Sequence, residues 1–283
     1  MHAIDRALAN DIDRVVRQAL AEDIGRGDLT AALVPPQALA SAHVVVRHRA
    51  VLCGAPWFDE VFRQLDPDIT VSWRFADGAL LESGAVVCEL TGPARPILSG
   101  ERTALNLLQL LSGTATAAHT YAAAVAGTGA RILDTRKTIP GLRLAQKYAV
   151  RCGGASNHRT GLFDAVLIKE NHIAAAGGIP AAVDAAAADA GSVMIEVEVE
   201  SLEQLDEALR TRADRILLDN FGLADLEIAV TRRNAAGTTV ELEASGGITL
   251  GNIRAVAETG VDFISVGAIT KDLTATDYSM RFA

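Results

Sequence analysis

The chain has 283 residues, enough for one large barrel-type domain or two moderate ones. Its formal net charge of -9 argues against non-specific binding to DNA, RNA or anionic membranes, and 4% aromatic residues is poor material for a base-stacking surface. Cys53, Cys88 and Cys152 are widely spaced, odd in number and form no CxxC, which suits a reducing cytoplasm and neither a disulfide framework nor a zinc site.

The opening MHAIDRALANDIDRVV interleaves charge with apolar residues and is not read as a signal peptide. No later stretch reads as a bilayer span. Ile4, Leu8, Ile12, Val15, Val16 and Leu20 recur at helical spacing and predict an amphipathic helix, followed by a polar, Gly-punctuated segment at 22–30. Strand-like runs at 42–52, 69–75 and 85–92 are separated by Pro, Asp-Gly and Ser-Gly breaks, so the first hundred residues read as a mixed α/β domain. Ser99 is the predicted N-cap of a long helix, with Gly113 as its break.

From residue 130 the chain settles into a beat. Strand candidates at 131–137, 165–170, 194–200, 215–220, 240–245 and 263–267 alternate with Ala- and Leu-rich helical segments, which predicts βαβ units and a parallel sheet. Each strand starts apolar and ends in a functional group: Asp134 to Lys137, Lys169-Glu170, Glu196 with Glu198, Asp219, Glu243 with Ser245, and the bare backbone of Gly267. A strand covered on both faces should stay apolar, whereas charges at the C-terminal strand ends ring one mouth of a barrel. The expected class is therefore α/β, with a barrel of six or seven strands.

The segment 131–172 concentrates positive charge in an acidic protein. It holds Arg131, Arg136, Lys137, Arg143, Lys147, Arg151, His158, Arg159, Lys169 and His172 against Asp134, Asp164 and Glu170. Such a cluster is suited to a polyanionic small molecule, Arg matching planar carboxylates and Lys phosphate. The plain alternative, a solvated basic face, weighs most for Arg143 and Lys147, four apart on a predicted helix. It weighs least for Arg136, Lys137 and Lys169 at strand ends. The loop 151–161 is polar and glycine-rich, as a ligand-covering loop would be, and Cys152 in it reads as an ordinary thiol.

Ser245-Gly246-Gly247 and Val266-Gly267 follow the last two strands, where barrels commonly build a phosphate cup. Glu196, Glu198 and Glu200 alternate along one strand and so share a face. With Asp219 they are candidates for sugar hydroxyls or a hydrated Mg²⁺, the alternative being an internal salt-bridge layer with Arg215 or Lys169. There is no Walker A, GxGxxG, GxSxG or HExxH motif.

The stretches ALAEDIGRGDLT, GPARPILSGERTALNLLQLLSGTAT, LDTRKTIPGLRLAQKYAVRCGGASNHRTGLFDAVLIKENH, IEVEVE, LLDNF, ELEASGGI and SVGAIT resemble the signatures of the quinolinate phosphoribosyltransferases, in family order and over nearly the whole chain. The resemblance implies an N-terminal α/β sandwich at 1–113, with the tail 272–283 packed on it, and an incomplete α/β barrel at 114–271. It implies a cytoplasmic homodimer in which Arg102 acts in the partner's active site, and it leaves higher assembly open. Carried over by position, Arg136, His158, Arg159, Lys169 and the partner's Arg102 would surround the two carboxylates of quinolinate. Lys137 would meet phosphate or pyrophosphate oxygens. Glu198 and Asp219 would hold ribose hydroxyls and Mg²⁺, and Ser245, Gly246, Gly247 and Gly267 would cradle the 5′-phosphate. Lys137, Lys169, Glu198 and Asp219 form the expected catalytic set. Two positions depart from the family pattern: Ala155 replaces a usual third glycine, and Glu170 a usual Asp.

The implied reaction joins quinolinate to the phosphoribosyl group of phosphoribosyl pyrophosphate and decarboxylates it, giving nicotinate mononucleotide, pyrophosphate and carbon dioxide. One rival is a relative of changed substrate, nicotinate-type or tied to molybdenum transport. The other is a non-catalytic anion-binding barrel. The dense cations favour two carboxylates over one, and Glu198 with Asp219 opposite them favours catalysis over binding alone.

Overall fold

The computed structural model describes residues 5–189 and 191–283. In chain order its elements are α1 (Arg6–Ile24), β1 (Leu39–Val46), β2 (Ala50–Val51), α2 (Ala55–Leu65), β3 (Thr70–Trp73), β4 (Leu80–Leu81), β5 (Val86–Pro93) and α3 (Ala94–Ala124). Then follow β6 (Arg131–Leu133), α4 (Arg143–Cys152), β7 (Val166–Ile168), α5 (Glu170–Ala176), α6 (Ile179–Asp189), β8 (Ile195–Val199) and α7 (Leu202–Ala208). The chain closes with β9 (Arg215–Asp219), α8 (Leu223–Ala235), β10 (Glu241–Ser245), α9 (Ile253–Glu258), β11 (Phe263–Ser265), α10 (Ala268–Lys271) and β12 (Tyr278–Phe282). Two compact units result. One takes the chain up to His119, Thr138–Gly154 and Ile269–Ala283, and the other Thr120–Lys137 and Ala155–Ala268.

In the first unit, α1 starts where the Asp5 side chain accepts the Leu8 N–H at 2.8 Å, and it buries the predicted face of Leu8, Ile12, Val15, Val16 and Leu20. Ile4 lies outside the described residues. An antiparallel sheet runs in the order β12-β1-β5-β3, so the C-terminal tail forms an edge strand, with Met280 opposite Val44. Every second residue of β1 from Ala42 to Val46 is buried, the period-2 signature of a one-sided sheet.

The long helix begins earlier than its predicted cap. α3 starts at Ala94, because Pro96 falls in the first turn, where a missing N–H costs nothing. Ser99 lies inside the helix and its hydroxyl donates to Asp28. Gly113 is no break either. A Cβ there would stand 2.4 Å from the Thr274 carbonyl, so the glycine admits a close backbone neighbour.

Residues 138–154 also pack in this unit, beside the chain up to His119 and the tail from Ile269. Gln146, fully buried, accepts from the Ile139 N–H at 2.8 Å and donates to the Thr270 carbonyl at 2.8 Å. Tyr148 packs on Trp57 with ring centroids 5.4 Å apart and donates to Asp77. Lys147 is 2% exposed, so a solvated basic face does not account for it.

The second unit is a parallel sheet in the order β6-β11-β10-β9-β8-β7, all six strands lying within the predicted runs. β6 and β7 end the order without pairing, so the barrel is incomplete. Among the described residues a single isolated bridge, Leu133 with Ser156, lies beside β6. Register decides what faces inward. Arg215 lies between Glu196 and Glu241, Leu217 between Glu198 and Glu243, and Asp219 beside Ser245. The alternate residues Val197, Val199, Ile216, Leu218, Leu242 and Ala244 are buried on the other face. Among the described residues no helix is long and apolar enough to cross a membrane.

Candidate active site

The inward residues form two layers. The lower one is ionic and forms the floor of the cavity, which Glu243 and His158 line from beneath. Glu196 and Glu243 are fully buried, and Arg215 reaches Glu243 at 3.2 Å and Glu241 at 2.8 Å while lying 3.8 Å over the Phe263 ring. His158 Nε2 lies 2.8 Å from Glu196 and 3.6 Å from Glu243. It is not in line with either oxygen of Glu196, and these, with Glu243 Oε1, have no aligned donor.

Burial, and then the charge of Glu196, pushes Glu243 up to about 8, and burial raises Glu196 as well. Two carboxyls this close in a dry interior do not both ionise, so the pair retains a proton at neutral pH. That proton supplies one donor among these three oxygens. Glu196 is thus part of an internal layer. Glu200 leaves the set altogether: it follows the end of β8, is exposed, and its N–H donates to Gln204.

The upper layer lines an open cavity of about 340 Å³. Arg136 and Lys137 come from the end of β6, Lys169 from β7, Glu198 from β8, Asp219 from β9 and Ser245 from β10. The loop after α4 adds His158 and Arg159. That loop is held by bonds the sequence could not announce. Asp134, fully buried, accepts from Asn157 Nδ2 and from the His158 N–H, each at 2.8 Å. His158 Nδ1 accepts the Arg159 N–H at 2.8 Å. Asp164 accepts from Thr160 and Gly161 at 2.6 and 2.8 Å. Burial alone would raise this carboxyl, but the backbone bonds outweigh it and hold it low.

Electrostatically the mouth favours an anion. Burial, and then the positive charge of Arg136, draws Arg159 below its ordinary value, while Glu196 and Asp164 oppose that shift and the guanidinium donates to the Ala165 carbonyl at 3.3 Å. Lys169 Nζ lies 2.5 Å from Glu198 Oε2. His172 is committed to the chain, accepting the Lys169 N–H at 2.9 Å at the start of α5. Asp219 Oδ2 accepts from Asn220 at 2.8 Å. Gly246 and Gly247 follow with φ of 91° and 61°, a left-handed pair that L side chains would strain. Gly267 occupies the turn before α10.

The cationic segment therefore splits. Arg136, Lys137, His158, Arg159 and Lys169 share the cavity. Arg143, Lys147 and Arg151 belong to α4 in the other unit, and Arg131 caps the opposite end of β6, 4.3 Å over Phe263. Arg102 is exposed on α3 in the first unit. His158 lines the cavity beside Arg159, with one ring nitrogen accepting the Arg159 N–H and the other facing Glu196. Ala155 is buried, and Glu170 is exposed at the first turn of α5. Cys152 is a buried free thiol.

Known proteins match this chain along its length. Residues 28–112 match the N-terminal domain of quinolinate phosphoribosyl transferase and residues 114–281 its C-terminal domain. The carboxylating nicotinate-nucleotide pyrophosphorylase of Mycobacterium leprae is 45% identical over 271 residues, covering 94% of this chain and 95% of its own. A probable carboxylating nicotinate-nucleotide pyrophosphorylase of Synechocystis is 42% identical over 271 residues, 95% of this chain and 92% of its own. The solved nicotinate-nucleotide pyrophosphorylase of Francisella tularensis superposes with a TM-score of 0.94 at 46% identity, covering 100% of both chains. The chain belongs to the quinolinate phosphoribosyltransferase family.

Proposed function

We propose that this chain joins quinolinate to phosphoribosyl pyrophosphate at the mouth of its barrel unit, releasing pyrophosphate and carbon dioxide and leaving nicotinate mononucleotide for NAD biosynthesis. The observation that carries the reading is the cavity lining, where Arg136 from beyond β6, Arg159 from the loop after α4 and Lys169 from the end of β7 come together with Glu198 and Asp219. Cations gathered in one open cavity favour an anion among them, and two carboxylates match three cations better than one.

Arg136, Arg159 and Lys169 hold the dicarboxylate, and Arg102 of the partner subunit completes the set. His158 keeps Arg159 in place from below. Ser245, Gly246, Gly247 and Gly267 receive the 5′-phosphate through backbone N–H groups, and the exposed Lys137 meets the pyrophosphate. Glu198 and Asp219 hold the ribose hydroxyls and stabilise positive charge at the anomeric carbon as its bond to pyrophosphate breaks. The pyridine nitrogen forms the new bond to that carbon. The ring, now cationic, draws in the electron pair of the adjacent carbon–carboxylate bond as carbon dioxide leaves, and a proton replaces it. Glu198 and Asp219, on neighbouring strands, are the oxygen-only donor set that Mg²⁺ accepts beside its own waters. Bound there, the ion would neutralise charge on the leaving pyrophosphate.

The reading includes a cytoplasmic homodimer. Three free, buried thiols suit that compartment, and exposed Leu29, Leu33, Leu162 and Phe163 offer apolar surface to a second copy. Mixing Arg102→Ala with Asp219→Asn subunits should restore about a quarter of normal activity if sites are shared across a two-fold interface, and none if they are not. The reaction itself is tested by carbon dioxide released from carboxyl-labelled quinolinate. Release that requires phosphoribosyl pyrophosphate is expected. Consumption of nicotinate without release would point to the changed-substrate rival, and inactivity with both to the binding rival.

A further inference from the structure

Asn220 is, among the described residues, the one non-glycine with a left-handed backbone, φ 57°. Such a conformation costs least for Asn and Asp, and it persists where surrounding contacts impose it. Three contacts do so here. The Asn220 N–H donates to the Ser245 carbonyl at 2.9 Å. Its side-chain nitrogen donates to Asp219 Oδ2 at 2.8 Å. Its Oδ1 lies 2.1 Å from where a Cβ on Gly246 would stand, with Cγ at 2.6 Å. One side chain therefore touches both the carboxylate at the end of β9 and the bare backbone after β10.

The residue type follows from these demands. Glycine would accept the same backbone and lose the amide. Aspartate would keep the shape but set a second carboxylate against Asp219 in place of a donor. A β-branched residue would be strained at this φ. Only an amide two bonds from the backbone supplies a donor toward Asp219 and, on its other arm, an oxygen packed over Gly246.

We infer that Asn220 is a positioning residue for the phosphoribosyl donor: it fixes one oxygen of Asp219 and reserves the space beside Gly246, setting the spacing between the ribose and phosphate contacts. The inference rests on the reading of Asp219 and Ser245–Gly247 as the donor side of the site. Its consequence is selective. Loss of Asn220 should weaken the phosphoribosyl donor and leave quinolinate untouched.

Calorimetric titration of phosphoribosyl pyrophosphate in Mg²⁺ buffer without quinolinate, together with KM for both substrates and the melting temperature, tests it. The proteins compared are wild type, Asn220→Gly, Asn220→Asp and Asp219→Asn. Losing one hydrogen bond to a charged group should weaken donor binding about tenfold in Asn220→Gly, with KM for quinolinate within twofold of wild type. Asn220→Asp should lose more than Asn220→Gly, through like-charge repulsion, while melting at the wild-type temperature. A purely structural role would lower the melting temperature and shift both KM values together, which overturns the inference. If Asp219→Asn weakens the donor but neither Asn220 variant does, Asn220 is not a positioning residue. If Asp219→Asn itself leaves donor binding unchanged, the donor-side reading fails and the inference falls with it.

Discussion

Beneath β1 and β5 of the N-terminal unit, Val44, Val46, Cys88 and Leu90 belong to one apolar core with Trp57, Phe58 and Phe62 of α2. Inside the barrel unit, equivalent inward positions carry Glu196, Glu243 and Arg215. The first face needs only the right volume. The second needs a partner for every charge, and a shared proton besides. Function follows the second kind of interior. The ionic layer is continuous, through His158, with the loop that presents Arg159, so the floor of the cavity and its cations are one connected structure. The N-terminal unit also buries polar groups, but Gln146 and Ser112 there are paired with backbone or hydroxyl neighbours and not in an ion pair of the Arg215–Glu243 kind.

Breaking each interior should expose the contrast. Trp57→Ala removes the largest fully buried side chain and should cost roughly 3–5 kcal/mol in urea unfolding, with the substrate constants unchanged. Glu243→Ala deletes less volume but leaves Arg215 short of a partner, and a loss of about 3 kcal/mol is expected. Glu243→Gln keeps the size and a proton-bearing group, so its cost should stay below about 1 kcal/mol. Were the alanine and glutamine variants equally unstable, the lower layer would be held by packing and not by its charges.

A pH series sharpens the same point with a smaller effect. The folded chain keeps the Glu243 proton up to about 8, while the unfolded carboxyl loses it near 4.5. The folded state therefore binds more protons across that window, and stability should fall as pH rises through it, levelling off above. Chemical denaturation at several pH values measures the slope, which Glu243→Gln should flatten. A wild-type stability that rises between pH 5 and 8 would contradict a retained proton.

The parts of this arrangement readable in the sequence are those with a local cause. Apolar runs ending in functional groups located all six barrel strands, since both the burial and the mouth leave their marks within a few residues. The start of α3 was not readable from Ser99, because Pro96 looks like a barrier and is harmless in a first turn. Residues 138–154 read as barrel because the partners that place α4, Asp77 and the Thr270 carbonyl, are distant in sequence. Glu196 and Glu198 look alike in IEVEVE. Register alone sets one against Arg215 in the dry layer and the other against Leu217 beside the cavity. The left-handed turn at Asn220 leaves no trace beyond the residue type itself, and its role follows only from Gly246 approaching it.

The most direct test of the account is the affinity of quinolinate against nicotinate, measured by titration on wild type and on Arg159→Ala with its melting temperature checked. Wild type should prefer the dicarboxylate by at least about tenfold, and Arg159→Ala should lose roughly one to two decades for quinolinate, erasing the preference without unfolding. Equal affinity for the two acids in wild type, or an Arg159→Ala protein that still chooses quinolinate, would contradict a mouth built for two carboxylates.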